Sequence, residues 1–536
     1  MKRIFLRIVA LCLVVALVFS GCGVLDFEGF FKRLAGMFGT VSFETMEYVR
    51  PDLSELDSTL EDCLESAAAG DDFDELIGHV MTINSIYADF YTNYLLAYIH
   101  YSIDLTDLYW EQEYHYCVEE STALDAAIDQ MMYALADCPF REELEHEDYF
   151  GEGYFDDYDG ESLWTEEFTA LMEQEADLLN AYYDLSGQAL ETDMYSEEYY
   201  TTYGVQLEEL FVKLVALRQQ IAQEAGYGSY AEFAYEFYYD RDYTPAQASQ
   251  YTADIQKELV PMYQELRDAD IWTEHLQGST EQQTFQYVKN MASAMGGTVQ
   301  EAFELLESAE LYHISYGENK YNASFEVFLP NYMEPFIFMN PTQTSYDQLT
   351  FAHEFGHFCN DYASGGTVAG IDVAEIFSQG LEYLSLFYVN ETAGLEAMKL
   401  ADSLCVYVEQ SAYASFEKQV YSLSAEELTA ENVRSIFGQT ASAYGFGSIL
   451  DSRSYVTIGH FFTSPMYIIS YVVSNDAALQ LYQMEKAEAG VGLSCYTDNL
   501  ATEQSDFLAF LEEAGLQSPF IPGRIQSVKE TFEKAL

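Results

Sequence analysis

The stretch FAHEFGHFCN, residues 351–360, sets two histidines four apart with a glutamate directly after the first, in a chain with 9 histidines among 536 residues. Four residues make about one helical turn, so His353 and His357 share a face only if the segment is a helix. The flanks predict one. Ser345 and Gln348 are spaced as a capping box, Leu349, Phe351, Phe355 and Phe358 give a mainly buried apolar surface, and Gly365-Gly366 supplies the stop. On such a helix the two imidazoles point the same way and can converge on a zinc ion at about 2.0–2.1 Å, with the helix fixing the bite. Glu354 sits beside the pair, where it could take a proton from a water on the metal instead of ligating it. Cys359 lies nearly opposite His357 and reads as core packing.

A catalytic zinc needs a third protein ligand and an open position. The segment VAEIFSQGLEYLSLF, residues 373–387, supplies candidates: Glu375 and Glu382 are seven apart, on one face of a predicted helix and two turns from each other. Their setting among Val373, Ile376, Phe377, Leu381, Leu384 and Leu386 argues against a purely solvated face. Glu375 is therefore read as the third ligand, with Glu382 or Gln379 orienting the ligands from behind.

With both motifs in view, the chain resembles the thimet-oligopeptidase-like family of zinc metallopeptidases, and more closely its bacterial branch, which includes oligoendopeptidase F and Pz-peptidase. That family pairs a helix H-E-x-G-H with a second helix E-x-x-S-Q-x-x-E. Here the pair reads His353-Glu354-Phe355-Gly356-His357, then Glu375-Ile376-Phe377-Ser378-Gln379-Gly380-Leu381-Glu382. The resemblance implies one zinc per chain, bound by His353, His357 and Glu375, with Glu354 as general base. The stretch from Pro335 to His357 also looks like the family's apolar strand, loop and metal helix in succession. One departure is Asn360, where many members carry a histidine.

An oxyanion forming beside a metal needs further donors. In GHFFTSPMYIISYVVS, residues 459–474, a histidine and tyrosines mean little by themselves in a chain with 45 tyrosines. Bacterial members of the family show a histidine, then Pro-Phe-Tyr, then a tyrosine four on, and His460, Pro465, Tyr467 and Tyr471 fall in matching places with Met466 for the phenylalanine. The resemblance implies that His460 and Tyr467 contact the scissile carbonyl and its tetrahedral intermediate. Tyr471 could share the role, and the sequence does not say which tyrosine dominates.

SFEVFLP and PFIFMN are short β-prone runs bounded by proline, so two strands are expected in an otherwise helical chain. A strand edge beside the metal could dock an extended peptide through its main chain.

The first residues, MKRIFLRIVALCLVVALVFSGCG, combine a basic start, an apolar run from Ile8 to Phe19 and small residues before Cys22. This reads as a signal peptide. Its end resembles a bacterial lipoprotein processing site, which implies a lipid-bearing Cys22 and an exported protein anchored to the outer face of the cell membrane. Six cysteines follow, at 63, 117, 138, 359, 405 and 495, too few for a disulfide-dense scaffold, and Cys359 and Cys405 read as buried thiols.

With 49% hydrophobic residues and only 10 prolines, the chain can build large helical cores. The resemblance runs from about Tyr200 to Pro519, with a helix predicted to begin after Thr244-Pro245. The expected organisation is a signal peptide over 1–22, an N-terminal helical region over 23–195 and a catalytic region over 196–536. From Glu142 to Glu167 there are twelve Asp or Glu and no Lys or Arg. Asp157, Asp159, Gly160 and Glu166 fall at EF-hand offsets, but Phe155 at the first position cannot ligate calcium, so a solvated loop is expected. The net charge of −68 disfavours nucleic acid and anionic lipid surfaces as direct partners.

The fold class implied is mainly α, a neurolysin-like helical body split by a deep channel with a small β-sheet beside the zinc site. The implied activity is hydrolysis of short unfolded peptides by a monomeric zinc oligoendopeptidase. A dipeptidyl carboxypeptidase resembling angiotensin-converting enzyme and a non-catalytic peptide-binding lipoprotein are the alternatives.

Overall fold

In a computed structural model of the chain, the residues described are 41–146, 149–151, 153–155, 158, 165–189, 192–268, 276–366, 370–390, 393–502 and 504–536. The expected signal peptide with Cys22 lies outside them, as do Asp157, Asp159 and Gly160 of the acidic loop. Phe155, at the first position of that loop, is fully buried. Among the described residues no helix is long and apolar enough to cross a membrane.

The chain opens with three helices packed on one another, Leu56–Ala69, Phe73–Ile103 and Leu108–Ala136. Side chains of Asp72 and Asp107 cap the second and third, accepting from backbone N–H groups of the first turn. Farther on, Glu166–Ala189 packs on Val205–Glu224. The helix expected after Thr244 runs Pro245–Glu258, with Thr244 and Gln247 forming a reciprocal capping box and Pro245 in the first turn.

The sheet has three strands where two were expected: β1 (Tyr312–Ile314), β2 (Ser324–Leu329) and β3 (Glu334–Met339), in the order β1-β3-β2. All six residues of β3 are buried. β2 pairs with it antiparallel, Ser324 opposite Met339, and β1 pairs parallel, Tyr312 opposite Ile337. β1 escapes a sequence reading because three residues are too few to display an alternation. β2 and β3 both pack against the helix that carries the two histidines.

That motif helix spans Asp347–Ser364, with Leu349, Phe351, Phe355, Phe358 and Cys359 all fully buried. Its start corrects the expected Ser345/Gln348 capping box. Ser345 Oγ instead accepts from the N–H of Gln277, and the turn before the helix is organised by Asp347. The Asp347 carboxylate accepts from the N–H groups of Thr342 and Thr344 at 2.8 and 3.1 Å. At the other end Gly365 takes the left-handed conformation, φ 74°, that closes the helix.

The partner helix, Ile371–Tyr388, crosses the motif helix at Gly356. A Cβ there would stand 2.5 Å from the Phe377 carbonyl oxygen and 2.6 Å from Ser378 Cα. Both are backbone atoms and neither can rotate away, so only glycine permits this approach. Gly356→Ala is therefore expected to force the helices apart, costing about 3 kcal/mol of stability, the upper range for overpacking. Thermal unfolding and a zinc assay check this; an unchanged Tm with full metal content would refute the close-contact argument.

Candidate active site

The crossing at Gly356 brings Glu375, on the first turns of the partner helix, over the face that carries His353 and His357. One donor atom from each of the three lies within 4.8 Å of the other two, and all three side chains are half-buried. His353 Nε2 is 3.6 Å from Glu375 Oε2. The side chain of His353 retains 26% exposure, so the trio is reachable from solvent and leaves room for a fourth ligand.

The other nitrogen of His353 is committed. Nδ1 is 2.9 Å from Glu382 Oε1, two turns beyond Glu375 on the same helix. An Nδ1–H donated to that carboxylate leaves Nε2 as a free lone pair aimed at the centre of the trio. Glu382 thus stands where an orienting group was expected. Gln379, the other candidate, is buried but has no hydrogen bond to the trio among the described residues.

Two further residues complete this arrangement, and neither was assigned a role from sequence. Lys399 Nζ, almost completely buried, is 2.9 Å from Glu382 Oε2 and lies 4.6 Å from the Tyr383 ring centroid. Ser378 Oγ donates to Glu375 Oε2 at 2.8 Å. Ser378 was inside the quoted motif. Lys399 sits in an ordinary helical run and carries no local signal. Glu382→Gln is expected to weaken zinc binding about 10–100-fold, the usual cost of losing a carboxylate behind a ligating histidine. Competition against a chelator of known affinity measures it, and undiminished affinity would show that Glu382 leaves the ligand untuned.

Electrostatics agree with a site built for a cation. Burial and the neighbouring carboxylates of Glu375 and Glu382 raise Glu354 to about 7, against the pull of His353. Burial alone would depress His353, yet its hydrogen bond to Glu382 and the charges of Glu375, Glu382 and Glu354 raise it to about 9. His357 shows the opposite result: burial lowers it to about 4, with the charge on His353 adding to the effect. The same carboxylates that raise His353 would favour a divalent ion at the trio. Two imidazoles and a carboxylate converging from one side are a donor set that suits zinc.

The structure also brings His460, Tyr467 and Tyr471 together. His460 lies on the short helix His460–Thr463, its ring stacked on Tyr467 with centroids 5.6 Å apart, and its Nε2 is 3.3 Å from the Tyr471 hydroxyl. Burial holds His460 down at about 4, so it is neutral at physiological pH and can donate only from the nitrogen that carries its proton. Burial raises both phenols and the Glu375 charge adds to it, while the hydrogen bond between them raises Tyr467 further and pulls Tyr471 back. Asn360, at the departure from the family pattern, is buried and donates to the Leu500 carbonyl at 2.8 Å, tying the motif helix to a later loop. All six described cysteines are free thiols, and Cys359 is fully buried.

Residues 43–161 match the family model of the peptidase M3 N-terminal domain. Over nearly its whole length the chain is similar in structure to known peptidases. An oligoendopeptidase F structure and Pz peptidase A solved with an inhibitor each superpose with a TM-score of 0.78 at 21% identity, covering 92% of this chain and 98% of theirs. A structure described as an oligoendopeptidase F from Bacillus anthracis gives 0.73 at 22% identity, with the same coverage. No curated protein matches the chain in sequence. The matched segment is a peptidase M3 N-terminal domain and the helical fold is that of the oligoendopeptidase F and Pz peptidase structures, which together support a metallopeptidase. The N-terminal match also extends the likeness into the region before Tyr200, where the sequence offered no motif.

Proposed function

We propose that the protein is a zinc-dependent oligoendopeptidase acting on short unfolded peptides. The observation that carries this reading is the convergence of His353, His357 and Glu375 with Glu354 beside them and Glu382 fixing the first imidazole. Those three residues would hold the zinc, which when bound would polarise the scissile carbonyl and acidify an attacking water. Glu354 takes the proton of that water as it attacks and passes it to the departing amine. Tyr467 and His460 donate hydrogen bonds to the oxygen that becomes negative, with Tyr471 holding His460 in register. No covalent acyl-enzyme is expected, because the attacking group in this reading is a water. β2, an edge strand packed on the motif helix, offers main-chain groups to an extended peptide, which gives affinity with limited sequence preference. The acidic chain favours basic or neutral peptides over acidic ones.

The test is hydrolysis of an internally quenched peptide blocked at both ends, by the full-length protein in detergent, before and after chelation. Chelator-sensitive internal cleavage restored by zinc is the expected result. Cleavage only of peptides with a free C-terminus would favour the dipeptidyl carboxypeptidase, and metal binding without cleavage a peptide-binding lipoprotein.

The export and anchoring reading rests on residues 1–22 alone: the protein is placed outside the cytoplasm, held by lipid on Cys22. Incorporation of labelled palmitate that disappears in Cys22→Ala checks it.

A further inference from the structure

Met466, the residue before Tyr467, has φ 68°, in the left-handed region that a residue with a side chain seldom adopts. Such a backbone persists only where its surroundings over-determine it. Here the peptide is gripped from both sides. The Met466 N–H donates to Glu417 Oε1 at 2.9 Å, and the Met466 carbonyl accepts from Arg241 Nη1 at 2.9 Å. Arg241 Nη2 also donates to Ser470 Oγ at 2.7 Å and reaches the Tyr467 carbonyl at 3.4 Å. Tyr239 adds its hydroxyl to the Pro465 carbonyl at 2.8 Å.

The same guanidinium is anchored elsewhere. Its Nε donates to Asp372 Oδ2 at 3.3 Å, an oxygen that also accepts from the Tyr243 hydroxyl at 2.8 Å. Asp372 is in the first turn of the partner helix, three residues before Glu375. Tyr235 and Tyr239 flank the guanidinium, each ring centroid 4.4 Å away. One planar cation therefore bridges the segment that presents Tyr467 and the helix that presents Glu375. It does so at a desolvation cost, since the side chains of Arg241 and Asp372 are 1% and 4% exposed. Lysine could not reproduce the bridge, because only the guanidinium directs several donors in fixed directions at once.

We propose that Arg241 is a positioning residue for the reaction: it holds the Tyr467 hydroxyl at a fixed separation from the metal ligands, so that the donor meets the oxyanion without reorganisation. This rests on the reading of Tyr467 as an oxyanion donor given above. A core arginine that merely stabilises the fold would lower Tm and active fraction alike, and would act independently of Tyr467.

A double-mutant cycle separates these cases. Arg241→Lys and Tyr467→Phe are made singly and together in the full-length protein, with kcat, KM, zinc content and Tm measured for each. Calorimetric binding of a phosphinic peptide that mimics the tetrahedral intermediate gives a readout independent of turnover. Arg241→Lys is expected to lower kcat and phosphinate affinity about 10²-fold, the scale of a misplaced catalytic group, with KM and zinc content near wild type. The double variant is expected to lose no more than Tyr467→Phe alone. Multiplying losses, or a loss that follows zinc content, would overturn the proposal. Should Arg241→Lys not fold, Asp372→Asn carries the same cycle, and wild-type kcat or multiplying losses there would overturn it equally. An inactive wild type overturns both this and the functional reading, whereas an active wild type with an additive cycle overturns this inference alone.

Discussion

Glu354→Gln is expected to lower kcat by roughly 10²–10⁴-fold, the range for removing a general base, while zinc stays at one per chain. The amide keeps the size and the burial of the carboxylate but cannot accept the proton. Glu354 is 7% exposed and packed among the ligands without being one of the convergent donors, which is why metal content should survive its replacement. In the metal-free site the carboxyl is raised to about 7 by burial and by the charges of Glu375 and Glu382. A divalent cation next to it pulls the value down again, so the base is ionised when the metal is in place. The acid limb of kcat/KM in the wild type should accordingly fall below pH 7 and be absent from the residual activity of the variant. Kinetics with parallel metal analysis decides the matter: loss of zinc together with activity would mean that Glu354 is needed for the metal, and the assignment as base would fail.

His357→Ala is the second change with a large expected effect, and here both metal and activity should go. The ring contributes one of three convergent donors and, unlike His353, has no hydrogen-bonded carboxylate behind it among the described residues. Burial keeps it neutral, with its value near 4, so it offers a lone pair over the whole physiological range and no proton need be displaced from it. Removing it leaves His353 and Glu375, two ligands that cannot by themselves hold a catalytic zinc closed to loss. Zinc content after dialysis should drop to background, and peptide cleavage with it. Partial return of activity in excess zinc would still agree with a weakened site. Full zinc retention would remove His357 from the ligand set and with it the geometric basis of the functional reading.

Much of the site was legible in the sequence because its parts are local. His353, Glu354 and His357 lie within a single turn and a half, and Glu375 and Glu382 are two turns apart on one helix, so the helical period alone fixes which side chains share a face. What was misread at the helix start was misread for a local reason too. Ser345 had the right spacing for a cap, but Asp347, with two carboxylate oxygens, satisfies the N–H groups of Thr342 and Thr344 instead.

Contacts between distant segments were not legible. Lys399 supports Glu382 from another helix, and Arg241 reaches Met466 across 225 residues of chain. Neither residue differs in composition or spacing from dozens of other charged positions, because nothing local distinguishes a buried partner from a solvated one. The N-terminal region shows the same limit from another side: its helices were evident from periodicity, yet their likeness to other proteins came from the domain match and the shared fold. The sequence by itself determined the helical class, the two faces that carry the candidate ligands and which side chains could be donors, since these follow from the period of the backbone and the chemistry of side chains. The tertiary structure decided that the two helices cross at Gly356 closely enough to join those faces, and that buried cations tie the pieces together. Such decisions depend on packing and desolvation, which act between segments wherever the fold brings them and leave no periodic mark along the chain.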